Sequence, residues 1–295
     1  IVRCSTSPYI SSAGHTMSRF VLYRFSIVAC LLSLPGFLNA QEMRVYTTVR
    51  NLRGSAVSED RAPVVARSLT LFHAGKVYDY VEAAKELTIF EPSHHRFTLL
   101  SERRRVATEV TQDEVRQFLN LVEQEGWKQL TTTTEQADAQ QGKSLAWLKF
   151  QLKPEFDVQF DGAKNVLSLT ERAARYHAEL QAPPTKSAVE SYLRFADATA
   201  ELNSVLHTQA PLPRPRLALN TAMRDHELLP IVVELKAMDD RLHLQARHEW
   251  TWKFQSRDRQ LISGWESQLS DSGLRRITFR QYQQESMASE VSRNR

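Results

Sequence analysis

The sequence predicts an α+β fold: one large curved antiparallel sheet, a half-barrel or open barrel of about nine to eleven strands, covered by two to three helices. Three observations carry that expectation. Residues 241–254, RLHLQARHEWTWKF, alternate without a break, Leu242, Leu244, Ala246, His248, Trp250, Trp252 and Phe254 opposing Arg241, His243, Gln245, Arg247, Glu249, Thr251 and Lys253. Strict alternation gives a strand one buried and one wet face. At about 3.4 Å per residue such a strand spans roughly 45 Å, and strands that long twist and coil. Two helix-start signatures, Thr111 with Glu114 and Ser187 with Glu190, each precede a helical apolar period. Turn residues punctuate residues 43–111 at short intervals, the mark of a meander.

The elements follow in chain order. Met43, Val45, Thr47 and Val49 alternate with Arg44, Tyr46, Thr48 and Arg50. VVARSLTLFHAGKVYDYV makes two strands about His73–Lys76, with Gly75 supplying the turn. ELTIFEPSHHRFTLL repeats the device about Glu91–His94, because Pro92 has no N–H to give a ladder. RRRVATEV adds a short strand. The first helix places Val115, Phe118, Leu119 and Val122 on one face, and Gly126 ends it. After the polar TTTTEQADAQQGK, SLAWLKFQLKPEFDVQFD reads as strand. Ala146, Leu148, Phe150, Leu152, Phe156, Val158 and Phe160 keep even parity through Pro154, a bulge or a tight reversal, before Asp161-Gly162 turns into NVLSLT.

The second helix carries Val189, Tyr192, Leu193, Ala196 and Ala200 on its face and lasts to about His207. PLPRPR follows as a stiff, extended connection, and residues 216–227 lean weakly towards helix. IVVELKAM turns at Asp239-Asp240 into the long strand. RQLISGWESQLS, a turn at Asp271-Gly273 and LRRITFRQYQ then complete a second meander.

Residues 17–40 have the layout of a secretory signal peptide: Arg19 and Arg24, the apolar run FSIVACLLSLPGF, and cleavage expected after Ala40. That run falls short of the roughly 17–25 residues a membrane span needs, so no permanent transmembrane segment is expected after cleavage. Residues 1–16 read as upstream mistranslation before Met17, residues 41–285 as one α+β domain, and 286–295 as a frayed polar tail. The expected location is periplasmic or secreted. Removing Arg3, Arg19 and Arg24 from the 38 basic residues leaves 35 against 34 acidic ones, so the apparent basicity nearly vanishes. A nucleic-acid partner is therefore not expected. Cys4 and Cys30 both lie in the removed segment, which leaves no disulfide, thiolate metal site or cysteine nucleophile.

Chemistry-bearing motifs are weak. Gly142-Lys143-Ser144 resembles the end of a P-loop, but Ala137 stands where the leading glycine belongs. His94-His95 and His73 lack a companion Asp, Glu or His at ligand spacing, and no metal or cofactor is expected. His243 and His248 differ in parity and face opposite sides of their strand. Ile262-Ser263-Gly264-Trp265 lacks the first glycine of a nucleophile elbow. Asp239-Asp240 and Asp113-Glu114 sit at a turn and a helix start, where acids have structural roles. Arg103-Arg104-Arg105 and PLPRPR read as a solvated strand end and a linker, or as docking points for an acidic partner or lipid headgroups. No catalytic residue is assigned, and the chain is read as non-enzymatic.

The stretch GKVYDYVEAAKELTIFEP, residues 75–92, resembles the strand-turn-strand meander of periplasmic lipoprotein carriers and their outer-membrane acceptors. That resemblance implies an incomplete β-barrel, covered by helices, with acyl chains carried in the cavity. The present chain departs from those carriers in placing strands before its first clear helix. The expectation is an exported carrier holding a lipid or acyl chain, with a cavity wall of Trp250, Trp252, Phe254, His248, Phe150, Phe156 and Phe160. The alternative is a structural or protein-interaction module of the cell envelope.

Overall fold

The computed structural model describes residues 42–54, 61–132, 139–207 and 210–293. The expected signal peptide lies outside the described residues. Alternation sets the first half as expected: β1 (Met43–Asn51), β2 (Val64–His73), β3 (Lys76–Val81), β4 (Glu86–Glu91), β5 (Arg96–Ser101) and β6 (Val106–Thr111) form a meander. Ala74 and Gly75, at φ 49° and 77°, close the β2–β3 hairpin with the positive backbone angles that a tight two-residue turn requires. Then come α1 (Gln112–Thr132), α2 (Ala139–Leu152), β7 (Asp157–Asp161), β8 (Val166–Thr170), β9 (Ala174–Gln181), α3 (Lys186–Leu206) and α4 (Arg214–Asp225). The chain ends with β10 (Leu229–Ala237), β11 (His243–Thr251), α5 (Ser256–Leu269), the two-residue β12 (Arg275–Arg276) and α6 (Phe279–Arg293).

Among the described residues the strands join in one open, curved sheet ordered β12-β6-β5-β4-β3-β2-β1-β11-β10-β9-β8-β7. All neighbours are antiparallel except β12, which runs parallel to β6. The fold is α+β with a large curved sheet. No helix among the described residues is long and apolar enough to cross a membrane.

Register explains the layers. One face carries the row Met43–Phe72–Val77–Phe90–Phe97–Val110, each residue opposite the next. This inner face packs with α1, α3, α4 and α6 into the main core. The other face carries Leu69–Tyr80–Leu87–Leu100–Ala107, and there α5 lays Ile262 and Trp265 over a smaller core. Thr111 and Glu114 make the expected cap: the Glu114 N–H donates to Thr111 Oγ1 at 3.2 Å, and Glu114 Oε2 accepts from the Thr111 N–H at 2.8 Å.

Several expectations are corrected. Residues 144–152, expected as strand, belong to helix α2. Leu145, Leu148 and Leu152 also repeat at helical spacing, and no β-branched residue lies between Ala139 and Lys153 to favour extended backbone. Gly126 does not end α1; it sits inside it, where a Cβ would lie 3.1 Å from Leu152 Cδ1. Lacking that atom, it lets α2 approach closely. Pro154 accordingly marks the exit from α2 rather than a bulge. Helix α3 starts at Lys186 behind Thr185, so Ser187 lies in its first turn rather than at its cap. PLPRPR is not an extended linker: Pro213 and Pro215 open α4, where a missing N–H costs nothing.

The 241–254 alternation yields a strand of only nine residues, which stops at Thr251 before a four-residue connection into α5 at Ser256. The Gln255 N–H donates to Asp258 Oδ2 at 2.9 Å, which fixes the start of α5. RQLISGWESQLS is therefore helix, and of LRRITFRQYQ only Arg275–Arg276 is strand. Helix α6 continues to Arg293, through the stretch expected to be a frayed tail. Among the described residues six helices and twelve strands are present, more than the two to three helices and nine to eleven strands expected, within the expected α+β class.

Candidate binding site on the inner face of the sheet

The inner face is largely apolar, and one polar patch on it lies on β1–β4 and β11. Thr47 lies opposite both His248 and Ser68, Val45 opposite Trp250 and Thr70, Thr70 opposite Asp79, and Asp79 opposite Thr88. Alternation alone thus brings Thr47, Ser68, Thr70, Asp79, Thr88 and His248 to the face on which the helices pack. Helix α3 lays Tyr192 across them, its ring 6.1 Å from His248 and 4.9 Å from Trp250. Thr70, Tyr192, Tyr176 and His248 are buried. Thr47, Ser68, Asp79, Thr88 and Trp250 stay half-buried, although the helices pack on the same face. Helix α4 contributes Arg216, also half-buried, whose Nε donates to Asn220 Oδ1 at 2.9 Å.

Burial governs the protonation states here. It pushes His248 down to about 3, with the Arg216 charge acting in the same direction, so the imidazole is neutral at physiological pH. Burial raises Asp79 although the hydroxyls of Thr70 and Ser68 favour its charged form; Thr70 Oγ1 donates to Asp79 Oδ1 at 2.6 Å. Burial also raises Tyr192 and pushes Tyr176 up to about 12, with Arg216 opposing both shifts. A carboxyl largely withdrawn from water and without a paired cation is costly to keep charged. The sign for stability follows. A folded-state pKa above the unfolded value means that stability falls as pH rises from the unfolded value through the folded one, and stays lower above it. Asp79→Asn should therefore raise the urea midpoint at neutral pH; a lowered midpoint would contradict this account of the site.

The expected wall residues divide. His248, Trp250 and Trp252 come together, the two indoles stacked with centroids 5.4 Å apart and Trp250 Nε1 donating to the Pro230 carbonyl at 2.8 Å. Phe150, Phe156 and Tyr176 form an edge-to-face chain, at 5.6 Å and 6.0 Å, near the β7 end of the sheet. Phe160 stacks on His226 at 3.8 Å. Phe254 falls beyond β11 and packs with the smaller core under α5, so it does not share the face of Trp250. Asp79, Tyr192, Tyr176 and Arg216 were not expected at the site. Asp79 had a signal, since it stands between Val77 and Val81 in core register.

Other clefts have mixed character. One of about 690 Å³ lies on the outer face between α5 and the meander, where Arg44, Arg67, Lys85 and Arg257 mingle with Glu82, Glu102 and Asp258. Another of about 650 Å³ adjoins Trp147 and Met238. Neither is lined by the seven expected wall residues. The histidines have local partners: His94 meets Glu91 at 3.3 Å, and His95 meets Gln112 at 3.0 Å. His243 bonds Glu234 at 2.8 Å, on the face opposite His248 as parity requires. No group of three or more potential metal ligands occurs among the described residues. Most side chains of the basic clusters are used internally. Arg104 bridges Glu86 and the Tyr282 ring, Arg105 pairs with Asp271 at 2.8 Å, and Arg214 forks onto Glu123. No family model and no curated protein matches the chain.

Proposed function

We propose that the protein is an exported, non-enzymatic carrier that holds an apolar ligand, a lipid or acyl chain, between the inner face of the sheet and α3 and α4. The observation that carries this reading is the partial exposure of Trp250, Trp252 and Leu235 on the face against which the helices pack. Stacked indoles that do not pack away fully suit an aliphatic chain, because large aromatic surfaces gain most from contact with other apolar atoms. The curved sheet with helical cover also accords with the resemblance of residues 75–92 to periplasmic lipoprotein carriers. Native mass spectrometry of protein purified without detergent tests it. A co-purifying or added lipid should give discrete mass increments, and a lipid-free, lipid-refractory protein would sink the reading.

The second reading, an interaction module of the envelope, draws support from β7. It is an end strand of the sheet, with Val158 half exposed, and open strand edges pair readily with other chains. Crosslinking in envelope fractions should then recover a specific partner at β7; recovery of none counts against it.

A further inference from the structure

We infer that the inner-face site takes the negatively charged headgroup of an anionic amphiphile, a carboxylate held on Arg216 with Tyr192 and His248 beside it. The inference rests on the carrier reading and adds the chemistry of the ligand's head. Three arginines of α4 show the basis. Arg214 is paired with Glu123 at 2.6 Å and Arg224 with Asp197 at 2.8 Å. Arg216, between them, has no carboxylate within ion-pair distance among the described residues. Its Nε is held instead by the Asn220 amide, a fully buried group whose Nδ2 donates to Asp197 at 2.7 Å. This splint fixes the guanidinium while leaving its terminal nitrogens for another acceptor. Arg residues present planar forks that match carboxylates in two-point geometry.

His248 gives the second, independent observation. It is only 8% exposed, its Nδ1 lies 3.0 Å from Thr47 Oγ1, and its buried Nε2 has no hydrogen-bond partner among the described residues. Native proteins rarely leave such an atom unpaired. When the Thr47 hydroxyl donates to Nδ1, Nε2 carries the proton and is a donor seeking an acceptor. The Arg216 charge acts on Tyr192, Tyr176 and His248, and the Tyr192 ring meets His248 edge-on at 6.1 Å, so the unpaired donor and the unpaired cation share one neighbourhood. Asp197 is engaged by Arg224 and the Asn220 amide, and the other carboxyl that could repel an anion there is Asp79. Its burial favours the neutral form, and Thr70 already occupies one of its oxygens.

Isothermal titration with laurate and with 1-dodecanol, which share a chain and differ in the head, tests the inference. Laurate should bind about 10–100-fold more tightly than dodecanol, the range of one or two charge-assisted hydrogen bonds. Arg216→Gln should bring laurate down to about the dodecanol affinity, with circular dichroism showing that the variant is folded. His248→Phe should cost laurate part of its advantage. Equal binding of the two ligands, or a laurate preference that survives Arg216→Gln, overturns the headgroup assignment and leaves the carrier reading standing. So does a variant that weakens both ligands alike. Binding of neither ligand by the unaltered protein overturns both.

Discussion

Phe97→Ala should destabilise the fold by about 3–5 kcal/mol, the range for emptying a fully buried aromatic site. Phe97 is 0% exposed, in the middle of the inner row, its ring stacked on Phe90 with centroids 4.8 Å apart. It lies opposite Val110 on one side and Phe90 on the other, so removing it strips contacts from two neighbouring strands at once. The same face carries α1 and α3, which cannot settle into the space without leaving the rest of the row. Urea denaturation checks this through a lower midpoint with an unchanged slope. A shift small enough to be a surface effect would mean that the inner row is not the main core.

Acid should reveal His248 with almost equal force. In the folded protein this imidazole titrates near 3, against an ordinary value of 6.5, because burial disfavours its charged form. Between those values the unfolded chain binds the extra proton and the folded chain does not, so stability falls as pH falls. The contribution is complete above about pH 6.5 and is lost progressively down to about pH 3. Over the interval from pH 7 to pH 4 it amounts to about 3 kcal/mol. Comparing the protein with His248→Phe isolates this, since the carboxylates titrate in both. The stability difference between the two should shift by that amount in favour of the variant at pH 4. A pH-independent difference would place His248 in water. Asp79 works in the opposite sense, raised rather than lowered, which is why the comparison and not the raw pH curve is the test.

How much of this was legible depended on which signal dominated locally. The first meander was readable because alternation, Gly75 and Pro92 agreed with one another, and consistency across levels is what specifies structure. Helix α2 was misread because its apolar residues satisfy both periods, and only the lack of β-branched residues distinguished them. Helix α6 carried the same kind of cap that located α1: the Gln281 N–H donates to Thr278 Oγ1 at 3.3 Å, and Gln281 Oε1 accepts from the Thr278 N–H at 3.0 Å. Its Ile277-Thr278-Phe279 run masked it by reading as strand. Strand β9 alternates as cleanly as any, with Ala174, Tyr176, Ala178 and Leu180 all buried, yet it has no bulky aliphatic run to announce it.

At the site, parity correctly placed His248 with Trp250 and away from His243. It could not reveal Arg216, which reaches the inner face only because Pro213 and Pro215 start a helix instead of stiffening a linker. Nor could it reveal that Phe254 escapes to the other core, since that depends on where β11 stops.

The central claim, that an aliphatic chain lies against the stacked indoles of Trp250 and Trp252, is tested most directly by quenching. Titration with a dibrominated stearate, whose bromines quench only tryptophans they touch, should reduce emission saturably. The chain has five tryptophans, and Trp127, Trp147 and Trp265 lie away from the proposed site, so the origin of the loss can be assigned. The account predicts that most of the quenching disappears in the Trp250→Phe, Trp252→Phe double variant and persists in Trp265→Phe. Undiminished quenching in the double variant, or none in the unaltered protein, would contradict it.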